Sequence, residues 1–477
     1  MCEEVINKER FQKAAQITDC LVLSDEQLME VKSRMLKEFE KGLRDEKHAI
    51  IKMLITYVRD IPTGKEIGSY LALDLGGTHF RVLLVNLNGE KTTIIGEKYK
   101  IPKNIMTAHG SKLFAYIADC IYDFIEKKKI RQKRIALGFT FSFPCYQYGL
   151  TTCKLVRWTK GFDCPGVEGE DACRLLREAI YEKHSQTETF IDVVAIINDT
   201  TGTLVSCAHT NKDCCVALIV GTGCNACYME KLENIEKWTG NYTEPKQVII
   251  NTEWGAFGEQ NGLDFIESEW DKILDKKSIN PGKQLFEKKL SGMYLGEIAR
   301  LVLKTICEQK LIFNGNLPLI LSGSEEFKTK YVSLIDSIDD GESLLRTMKD
   351  IFSDVDVDKT DMQIIRMVTS RVSTRAAYLT ACGCSAILEK MKRKFCVIGY
   401  DGAVICKHPK FKSIMTKKIE ELTDKNWKFE LMKSEDGSGV GAALVAAVTY
   451  REKRPCIIKR GRKVYELCTL KDVTKSG

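Results

Sequence analysis

The segment that most constrains the fold of this chain spans residues 193–205, where an apolar run ends abruptly in polar side chains. Val193–Ile197 is followed by Asn198, Asp199 and two threonines, and apolar sequence resumes at Leu204. A run of this kind predicts a buried strand that presents Asn198 and Asp199 at its carboxyl end, which is the edge where open α/β sheets bind ligands. The alternative is that the Asn-Asp pair only caps the next helix, and for the dipeptide alone the cap is favoured.

Two glycine turns, one on each side of this segment, favour the ligand-binding alternative. Each turn lies between two apolar strands, within residues 70–85 and 215–230. Glycine lets backbone N–H groups approach an anion, and a threonine hydroxyl adds a donor, although a single hairpin of this kind is weak evidence. Because the pattern occurs twice, it predicts a duplicated α/β core in which two hairpins hold the phosphates of one nucleotide. The first turn contains Asp74, Gly76, Gly77 and Thr78, and the second contains Gly221, Thr222 and Gly223.

Polar residues also stand beside glycines and aromatic residues in other segments, and two of these segments have a simpler explanation as well. Ser142 ends a hydrophobic strand. Thr159 and Lys160 follow a tryptophan in a segment that is equally compatible with a solvated surface turn. Glu253 follows a Val-Ile strand, where a buried carboxylate needs hydrogen-bond partners. Glu287 lies near the start of a predicted helix, where complementing the helix dipole would explain it.

Two more glycine segments lie near the end of the chain. Asp401 and Gly402 follow a short apolar strand, and residues 436–441 form a glycine loop around Ser438 that runs into a helix. The N–H groups and positive end of that helix suit a phosphate, although a plain helix entry explains the loop equally.

The length and composition describe an ordinary globular protein. The chain has 477 residues, more than one hydrophobic core normally supports, so two domains are expected. A net charge of +7 does not indicate nucleic-acid binding without a clustered basic face.

Residues 24–47 predict a long amphipathic helix with a capping box at Ser24 and Gln27, which we assign to packing. The basic segment from Arg451 to Gly477 is expected to be a solvated tail.

The cysteines and the apolar runs bear on the compartment. Nineteen cysteines are scattered without a disulfide or zinc spacing. The first residues contain no signal-peptide core, and no apolar run is long enough to span a bilayer. We therefore expect a cytoplasmic protein with reduced thiols and no membrane partner. The single Cys-x-x-Cys, Cys224 to Cys227, has no partner pair, so a metal or redox role for it is not favoured.

In combination, these segments resemble the hexokinase family over roughly residues 20–452. The resemblance implies an α/β fold, two-lobed, actin-like and ribonuclease-H-like, with a cleft between a small and a large domain, in a single-unit and not a doubled form. It implies a small domain of residues 68–197 completed by helix 436–454, a large domain of residues 1–67 and 198–435, and a basic tail from 455 to 477. The motifs that carry it are Leu-Asp-Leu-Gly-Gly-Thr at 73–78, Gly-Phe-Thr-Phe-Ser-Phe-Pro-Cys at 138–145, Trp-Thr-Lys-Gly-Phe at 158–162, Asn-Asp-Thr at 198–200, Gly-Thr-Gly-Cys-Asn-Ala at 221–226 and Asn-Thr-Glu-Trp-Gly-Ala-Phe-Gly at 251–258.

The resemblance also implies a chemistry, which is ATP-dependent phosphorylation of the 6-hydroxyl of a hexose by a monomer, the first step of glycolysis. Asp199 would be the general base, and Lys160 would supply positive charge to the transferring phosphoryl group. The sugar would be bound by Ser142, Thr159, Lys160, Asn198, Asn225, Glu253 and Glu287. The residues implied to surround MgATP are Asp74, Gly76, Gly77, Thr78, Arg81, Gly221, Thr222, Gly223, Thr329, Ser333, Asp401, Gly402 and Ser438. No protein group would bind metal directly, because Mg²⁺ would arrive with ATP and reach Asp74 and Asp199 through water.

Three positions depart from the residues usual in the family, and all lie on the nucleotide side. His79 stands where asparagine is usual, Ala403 where serine is usual, and Val440 where lysine or arginine is common. We expect intact sugar recognition with weaker ATP binding. The alternative function is a catalytically weakened sugar sensor or regulatory protein, but the retention of Asp199 and Lys160 favours the enzyme. An actin-like or chaperone-like ATPase would explain the glycine hairpins but not the sugar-side residues.

Overall fold

The computed structural model describes residues 7–76, 79–89, 91–158, 161–184, 189–323, 326–452, 456–460 and 463–467. Contacts divide the chain into two compact units. The first unit comprises Met1–Arg59 and Ser206–Gly437, and the second comprises Asp60–Val205 and Ser438–Gly477. The chain therefore passes between units at 59/60, 205/206 and 437/438. The domain boundaries that the resemblance implies, at 67/68, 197/198 and 435/436, stay a prediction. Asn198 and Asp199 consequently belong to the second unit, with the strand that precedes them.

The elements follow each other along the chain in a mixed α/β order. The helices are α1 (Lys8–Ile17), α2 (Asp25–Arg44), α3 (Lys103–Met106), α4 (Gly110–Lys127), α5 (Ala172–His184), α6 (Asp199–Thr210), α7 (Glu269–Lys277), α8 (Leu285–Leu290), α9 (Leu295–Glu308), α10 (Leu319–Ser322), α11 (Thr329–Ser337), α12 (Gly341–Ile351), α13 (Lys359–Met391), α14 (Ala403–Lys407), α15 (Phe411–Leu422) and α16 (Gly437–Glu452). The strands are β1 (Leu54–Ile55), β2 (Ile67–Leu75), β3 (His79–Asn88), β4 (Thr92–Lys100), β5 (Arg134–Phe141), β6 (Cys145–Gly149), β7 (Thr152–Leu155), β8 (Phe190–Ile197), β9 (Cys214–Val220), β10 (Cys224–Lys231), β11 (Gln247–Asn251), β12 (Phe395–Asp401), β13 (Lys428–Lys433), β14 (Cys456–Arg460) and β15 (Lys463–Leu467).

The second unit is built on a five-stranded sheet of order β4-β3-β2-β5-β8. Strands β2, β3 and β4 are antiparallel, and β5 pairs in parallel with both β2 and β8. Leu113, Ile117 and Ile121 recur at helical spacing on α4 and join Leu73 and Phe139 of the sheet in one buried apolar core. The core therefore leaves the strand ends, and not the sheet face, for polar side chains.

Glycines allow α16 to pack directly on the second unit. A Cβ at Gly138 of β5 would lie 2.0 Å from the carbonyl oxygen of Ala442, and a Cβ at Gly441 would lie 2.1 Å from that of Gly202 on α6. Side chains at these positions would collide with backbone, so the two helices and the strand touch where only glycine fits. This contact brings the start of α16, with Ser438, to the end of the sheet.

The first unit repeats the topology of the second. Its sheet has the order β1-β11-β10-β9-β12-β13. Strands β9, β10 and β11 are antiparallel, and β12 pairs in parallel with both β9 and β13. The run β11-β10-β9-β12-β13 therefore matches β4-β3-β2-β5-β8 strand for strand and direction for direction. The predicted duplication of an α/β core is confirmed.

Helices surround the sheet of the first unit. The longest, α13, has 33 residues and starts with a capping box formed by Asp358 and Asp361. The amphipathic helix predicted near the amino terminus is α2, which has the expected capping box between Ser24 and Gln27. Its apolar residues at helical spacing, including Val31, are buried. Both helices are therefore held by an apolar face and a capped first turn.

Two observations concern the remaining segments. Strands β14 and β15 pair as an antiparallel hairpin within the segment that the sequence led us to expect as a tail. Among the helices of the described residues, none combines the length and the apolar character that crossing a bilayer requires.

Candidate active site

Asn198 and Asp199 lie where a buried strand meets a helix, as predicted. β8 ends at Ile197 and α6 begins at Asp199. The side-chain oxygen of Asn198 accepts the backbone N–H of Thr200 at 2.9 Å and its hydroxyl at 2.7 Å, and Asp199 Oδ1 accepts the same N–H at 2.8 Å. The capping role considered as the alternative therefore exists. It also fixes Asp199 at the strand end, where its side chain stays half-buried.

The strand register of the second unit brings several predicted residues to one edge. Asp74 of β2 pairs with Thr140 of β5, and Thr140 pairs with Ile197 of β8. Since neighbouring strands lie about 4.8 Å apart, the backbone at Asp74 is about 10 Å from that at Ile197. Ser142 follows β5 at the same edge, and its N–H donates to the carbonyl of Leu75 at 3.2 Å. Two carboxylates and a hydroxyl thus share one end of the sheet.

Three predicted nucleotide contacts form one cluster in the second unit. Arg81 donates to Asp74 Oδ2 from Nη2 at 2.6 Å and from Nε at 3.1 Å. The hydroxyl of Ser438 donates to the same oxygen at 2.9 Å. The hydroxyl of Thr140 donates to the carbonyl of Ser438 at 2.7 Å, which anchors the start of α16 on β5. The bonds that Arg81 and Ser438 make to the Asp74 carboxylate all converge on Oδ2.

Aromatic side chains pack together immediately before and after residues 159–160, where the sequence predicts a catalytic lysine. Trp158 and Phe162 stack with ring centroids 5.2 Å apart, and Phe143 meets Trp158 edge-on at 5.0 Å. The indole N–H of Trp158 donates to the carbonyl of Cys164 at 2.9 Å. These contacts hold Trp158, Phe143 and Phe162 in one aromatic cluster. The predicted residues Thr159, Lys160, Gly77 and Thr78 lie outside the described residues.

In the first unit, Asn225 and Glu253 are joined by a network that includes Asn251. The amide nitrogen of Asn225 donates to Asn251 Oδ1 at 2.7 Å and to Glu253 Oε1 at 3.0 Å. The amide nitrogen of Asn251 donates to Glu253 Oε1 at 2.8 Å. The backbone N–H of Glu253 donates to Asn225 Oδ1 at 3.1 Å. These bonds explain how a half-buried carboxylate is tolerated after an apolar strand.

Glu287 lies on α8 beside the second glycine turn. Its Oε2 accepts the backbone N–H of Cys224 at 2.9 Å, and a Cβ at Gly223 would lie 2.6 Å from that oxygen. Glycine is therefore needed for the turn to approach the acid. Burial, and then the nearby Glu287 carboxylate, raises the pKa of the Cys224 thiol. Cys224 and Cys227 are three residues apart on β10 and so point to opposite faces of the sheet, which does not suit a metal or redox pair.

Three backbone segments that carry predicted nucleotide contacts meet in the first unit. A Cβ at Gly221 would lie 3.3 Å from the Cα of Gly402. The N–H of Gly292 donates to the carbonyl of Gly221 at 2.7 Å. The hydroxyl of Thr329 donates to the carbonyl of Gly292 at 2.7 Å and accepts the N–H of Gly296 at 2.9 Å. We call Gly221, Gly292, Gly402 and Thr329 the glycine cluster.

The other predicted nucleotide contacts lie close to these residues in the chain. Thr222 is exposed at the tip of the turn, and Ser333 lies one helical turn after the first residue of α11. Asp401 ends β12, and its Oδ1 accepts the N–H of Gly402 at 2.6 Å. Gly76 directly follows β2 and is half-buried. Across the residues that the structure describes, no three His, Cys, Asp or Glu side chains come together as a metal site.

Two participants were missed by the sequence interpretation. Asn251 opens the motif at 251–258 and stands two residues before Glu253, but the sequence assigned it no role. Gly292 was also given no role, yet it connects Gly221 to Thr329. The spacing of two along an extended segment would have placed Asn251 on the same side as Glu253. Nothing in the sequence around Gly292 indicates its contact, because that contact depends on the packing of distant segments.

The three positions that depart from the family pattern differ in exposure. His79, at the start of β3, and Ala403, at the start of α14, are exposed. Val440 is 5% exposed on α16. An apolar residue at position 440 thus contributes to packing, whereas positions 79 and 403 face solvent.

Comparisons with known proteins were consistent over most of the chain. Two family models, both described as hexokinase, match residues 13–209 and 215–448. A hexokinase of Schistosoma mansoni is 42% identical over 94% of this chain and 99% of its own length. Human Hexokinase-2 is 43% identical over 94% of this chain but 49% of its own length. The chain thus spans about half the length of several curated relatives that it matches.

Solved structures give the same result. The hexokinase from Schistosoma mansoni complexed with glucose superposes with a TM-score of 0.84 at 41% identity, over 92% of this chain and 99% of that chain. A second hexokinase crystal structure superposes with a TM-score of 0.81 at 28% identity, over 93% of this chain and 100% of that chain. These matches confirm the predicted α/β fold class.

Proposed function

We propose that this chain, which belongs to the hexokinase family, transfers the terminal phosphoryl group of MgATP to the 6-hydroxyl of a hexose, giving hexose 6-phosphate and ADP. Glucose is the first candidate substrate, since the related Schistosoma protein was solved with glucose. Mannose and fructose offer many of the same hydroxyls.

The hexose would be held by acids and amides, whose chemistry matches a ring of hydroxyl groups. Glu253 and Glu287 accept hydrogen bonds from hydroxyls with charge-assisted strength. The Asn198 oxygen is used to cap α6, so its amide nitrogen would donate to the sugar. The remaining contacts that we propose are Ser142, Thr159, Lys160 and Asn225.

Asp199 would orient the 6-hydroxyl and accept its proton as the bond to phosphorus forms. A general base must be fixed within hydrogen-bond reach of the proton that it takes, and the bond from Thr200 supports this by holding Asp199 Oδ1. Lys160 would balance charge on the equatorial oxygens of the transferring group. Its role rests on the family resemblance.

Mg²⁺ would enter as part of the substrate MgATP and supply charge neutralisation between the phosphates. The donor set around Asp74 fits this. Because Arg81 and Ser438 both bond to Oδ2, Asp74 Oδ1 is the atom that would accept from a metal-bound water. The proposed ATP contacts in the second unit are Asp74, Gly76, Gly77, Thr78, Arg81 and Ser438. Those in the first unit are Gly221, Thr222, Gly223, Thr329, Ser333, Asp401 and Gly402.

The observation that carries the proposal is the strand register that sets Asp74 and the β8 end in one row. The end of β8, which directly precedes Asn198 and Asp199, and Asp74 on β2 are two strands apart, about 10 Å between their backbones. That separation leaves room for a phosphoryl group and a metal between them. A helix cap alone would not require a second carboxylate at the same edge.

A coupled assay for hexose 6-phosphate tests the proposal. Purified protein is incubated with MgATP and, in turn, glucose, mannose and fructose, and product formation is followed. We expect turnover with at least one hexose that disappears when ATP is omitted. Tight glucose binding by calorimetry without any turnover would instead support the sugar-sensor alternative.

We also propose that the protein acts as a monomer in the cytoplasm. The cysteines of the described residues whose state is assigned are free thiols, most of them buried, which suits a reducing compartment. Light scattering during size-exclusion chromatography tests the oligomeric state, with a mass near 54.0 kDa expected.

A further inference from the structure

We propose that a buried hydrogen-bond network around Asp336 positions the nucleotide-binding residues of the first unit. The network comprises Asp336 on α11, Thr369 and Ser373 on α13, and His408 directly after α14. All four residues are between 0% and 4% exposed. We call them the Asp336 network. The inference rests on the proposed hexokinase function and assigns these residues a positioning role, since none of them is expected to touch ATP.

The Asp336 carboxylate accepts hydrogen bonds from two other segments. The hydroxyls of Thr369 and Ser373 donate to Oδ1 at 3.0 Å and to Oδ2 at 2.8 Å. His408 Nε2 lies 3.2 Å from Oδ2. His408 Nδ1 accepts the backbone N–H groups two and three residues further on, at 3.3 and 3.2 Å. The ring proton therefore sits on Nε2, and the imidazole donates to Asp336.

The network joins the far ends of two short helices whose first turns reach the glycine cluster. α11 starts at Thr329, a member of the glycine cluster, and Asp336 lies seven residues later on the same helical face. α14 directly follows Gly402, another member, and His408 directly follows its last residue. Fixing Asp336 to His408 therefore fixes two of the segments that carry the proposed ATP contacts relative to each other.

These helices depend on tertiary contacts for their position. α11 has nine residues and α14 has five, and helices of this length are not stable alone in water. A buried carboxylate with three donors strongly prefers one arrangement, because losing a donor leaves charge without a partner. The Asp336 network therefore anchors both helices on the long helix α13.

If the Asp336 network only stabilised the fold, its variants would lower the melting temperature without a selective loss of MgATP binding. The helix α13 provides a matched control for this alternative. Asp361 is 2% exposed near the start of α13, and its carboxylate also accepts several bonds, from Arg10, from the N–H of Phe313 and from the N–H of Asp358. None of these bonds involves a residue of the glycine cluster. Asp361→Asn is thus the same chemical change at a similarly buried aspartate, on the helix that carries Thr369 and Ser373 and away from the proposed ATP contacts.

The experiment measures the dissociation constants of MgATP and of glucose by titration calorimetry on the full chain. For Asp336→Asn we expect MgATP binding to weaken by about tenfold, since one buried bond to a charged group is lost. The glucose constant should stay within about twofold. Asp361→Asn should leave both constants within about twofold of the wild type while lowering the melting temperature.

The milder variant Ser373→Ala, which removes a single donor, keeps the test decisive if Asp336→Asn does not fold. It should weaken MgATP binding by about threefold with no change for glucose. Equal weakening of both ligands, or a change in MgATP affinity no larger than that of Asp361→Asn, would overturn the inference. A wild-type chain that binds both ligands without transferring phosphate would contradict the proposed function but leave this positioning role intact.

Discussion

At the scale of single residues, Glu253 illustrates how the first unit holds a half-buried carboxylate in one conformation. Its backbone has φ of 55°, in the left-handed region that residues other than glycine seldom adopt. The bond from its N–H to Asn225 holds that conformation. Strained conformations of this kind persist where surrounding contacts determine them and are concentrated at functional sites.

Replacing Glu253 by glutamine tests whether its charge binds the hexose. The amide keeps the shape but loses a charge-assisted acceptor, so we expect the KM for glucose to rise by about tenfold to a hundredfold with a smaller change in kcat. Steady-state kinetics at saturating ATP give both values. Glu233→Gln, an exposed glutamate in the same unit, is the control. An unchanged KM in Glu253→Gln would remove Glu253 from the sugar-binding set.

The exposed residues His79 and Ala403, which differ from the residues usual in the family, lead to a prediction for the KM of ATP. Restoring the residues usual in the family, with His79→Asn and Ala403→Ser, adds short polar groups at the starts of β3 and α14. We expect the double variant to lower the KM for ATP by about threefold, the value of roughly one added hydrogen bond, and to leave the KM for glucose unchanged. A KM for ATP that stays the same or rises would show that these positions do not limit ATP affinity.

Residue types were easier to predict from sequence than their connections. Asp199 and Glu287 stand beside strand ends, glycines and helix starts, which are local signals that a single sequence contains. The link from Asn251 to Asn225 joins strands β11 and β10, so it depends on register. Register is a property of paired strands and cannot be read from one of them alone.

At the scale of elements, α8 shows how a short helix is held in place. It has six residues and carries Glu287. Lys289 on the same helix is 2% exposed, and its ammonium lies 3.5 Å from Asp271. Arg375 of α13 donates to both oxygens of Asp271 at 2.8 Å. A buried carboxylate between two buried cations therefore fixes α8 against α7 and α13.

Removing the charge of Asp271 should strongly lower the free energy of unfolding. Asp271→Asn leaves the guanidinium of Arg375 and the ammonium of Lys289 buried without their anion, and breaking such a pair costs about 3–5 kcal/mol of the free energy of unfolding. Urea titration measures the loss. Glu269→Gln, at an exposed position on the same helix, should change the free energy of unfolding by less than about 0.5 kcal/mol. Equal effects of the two variants would contradict the assigned role.

The pH dependence of this loss has a defined sign. Burial raises the pKa of Asp271, but Arg375 and Lys289 outweigh burial and hold it well below its usual value. A carboxyl with a depressed pKa in the folded state contributes stability above its unfolded pKa, about 3.9, and loses it as the pH falls. The difference between wild type and Asp271→Asn should therefore be constant from about pH 7 to 5 and shrink below about pH 4.

At the scale of the whole molecule, two distant parts of the chain form the second unit, residues 60–205 and those from 438 onward. The repeated strand-glycine-strand pattern predicted the duplicated sheets because it is local to each hairpin. The close packing of α16 depends on Gly138 and Gly441, which meet the backbone of Ala442 and Gly202, 304 and 239 positions away in sequence. A lone glycine in a strand or helix does not indicate which backbone approaches it, so this contact needed the structure.

The central claim is that the acid at the end of β8 acts as the base for phosphoryl transfer. Asp199→Asn measures it most directly, with Asp192→Asn as the control because Asp192 lies on the same strand and pairs with Arg134 at 2.6 Å. We expect kcat to fall by about 10²–10⁴-fold in Asp199→Asn, with the glucose dissociation constant within about threefold of wild type. Asp192→Asn should retain kcat. Turnover by Asp199→Asn at a rate close to that of the wild type would contradict the account.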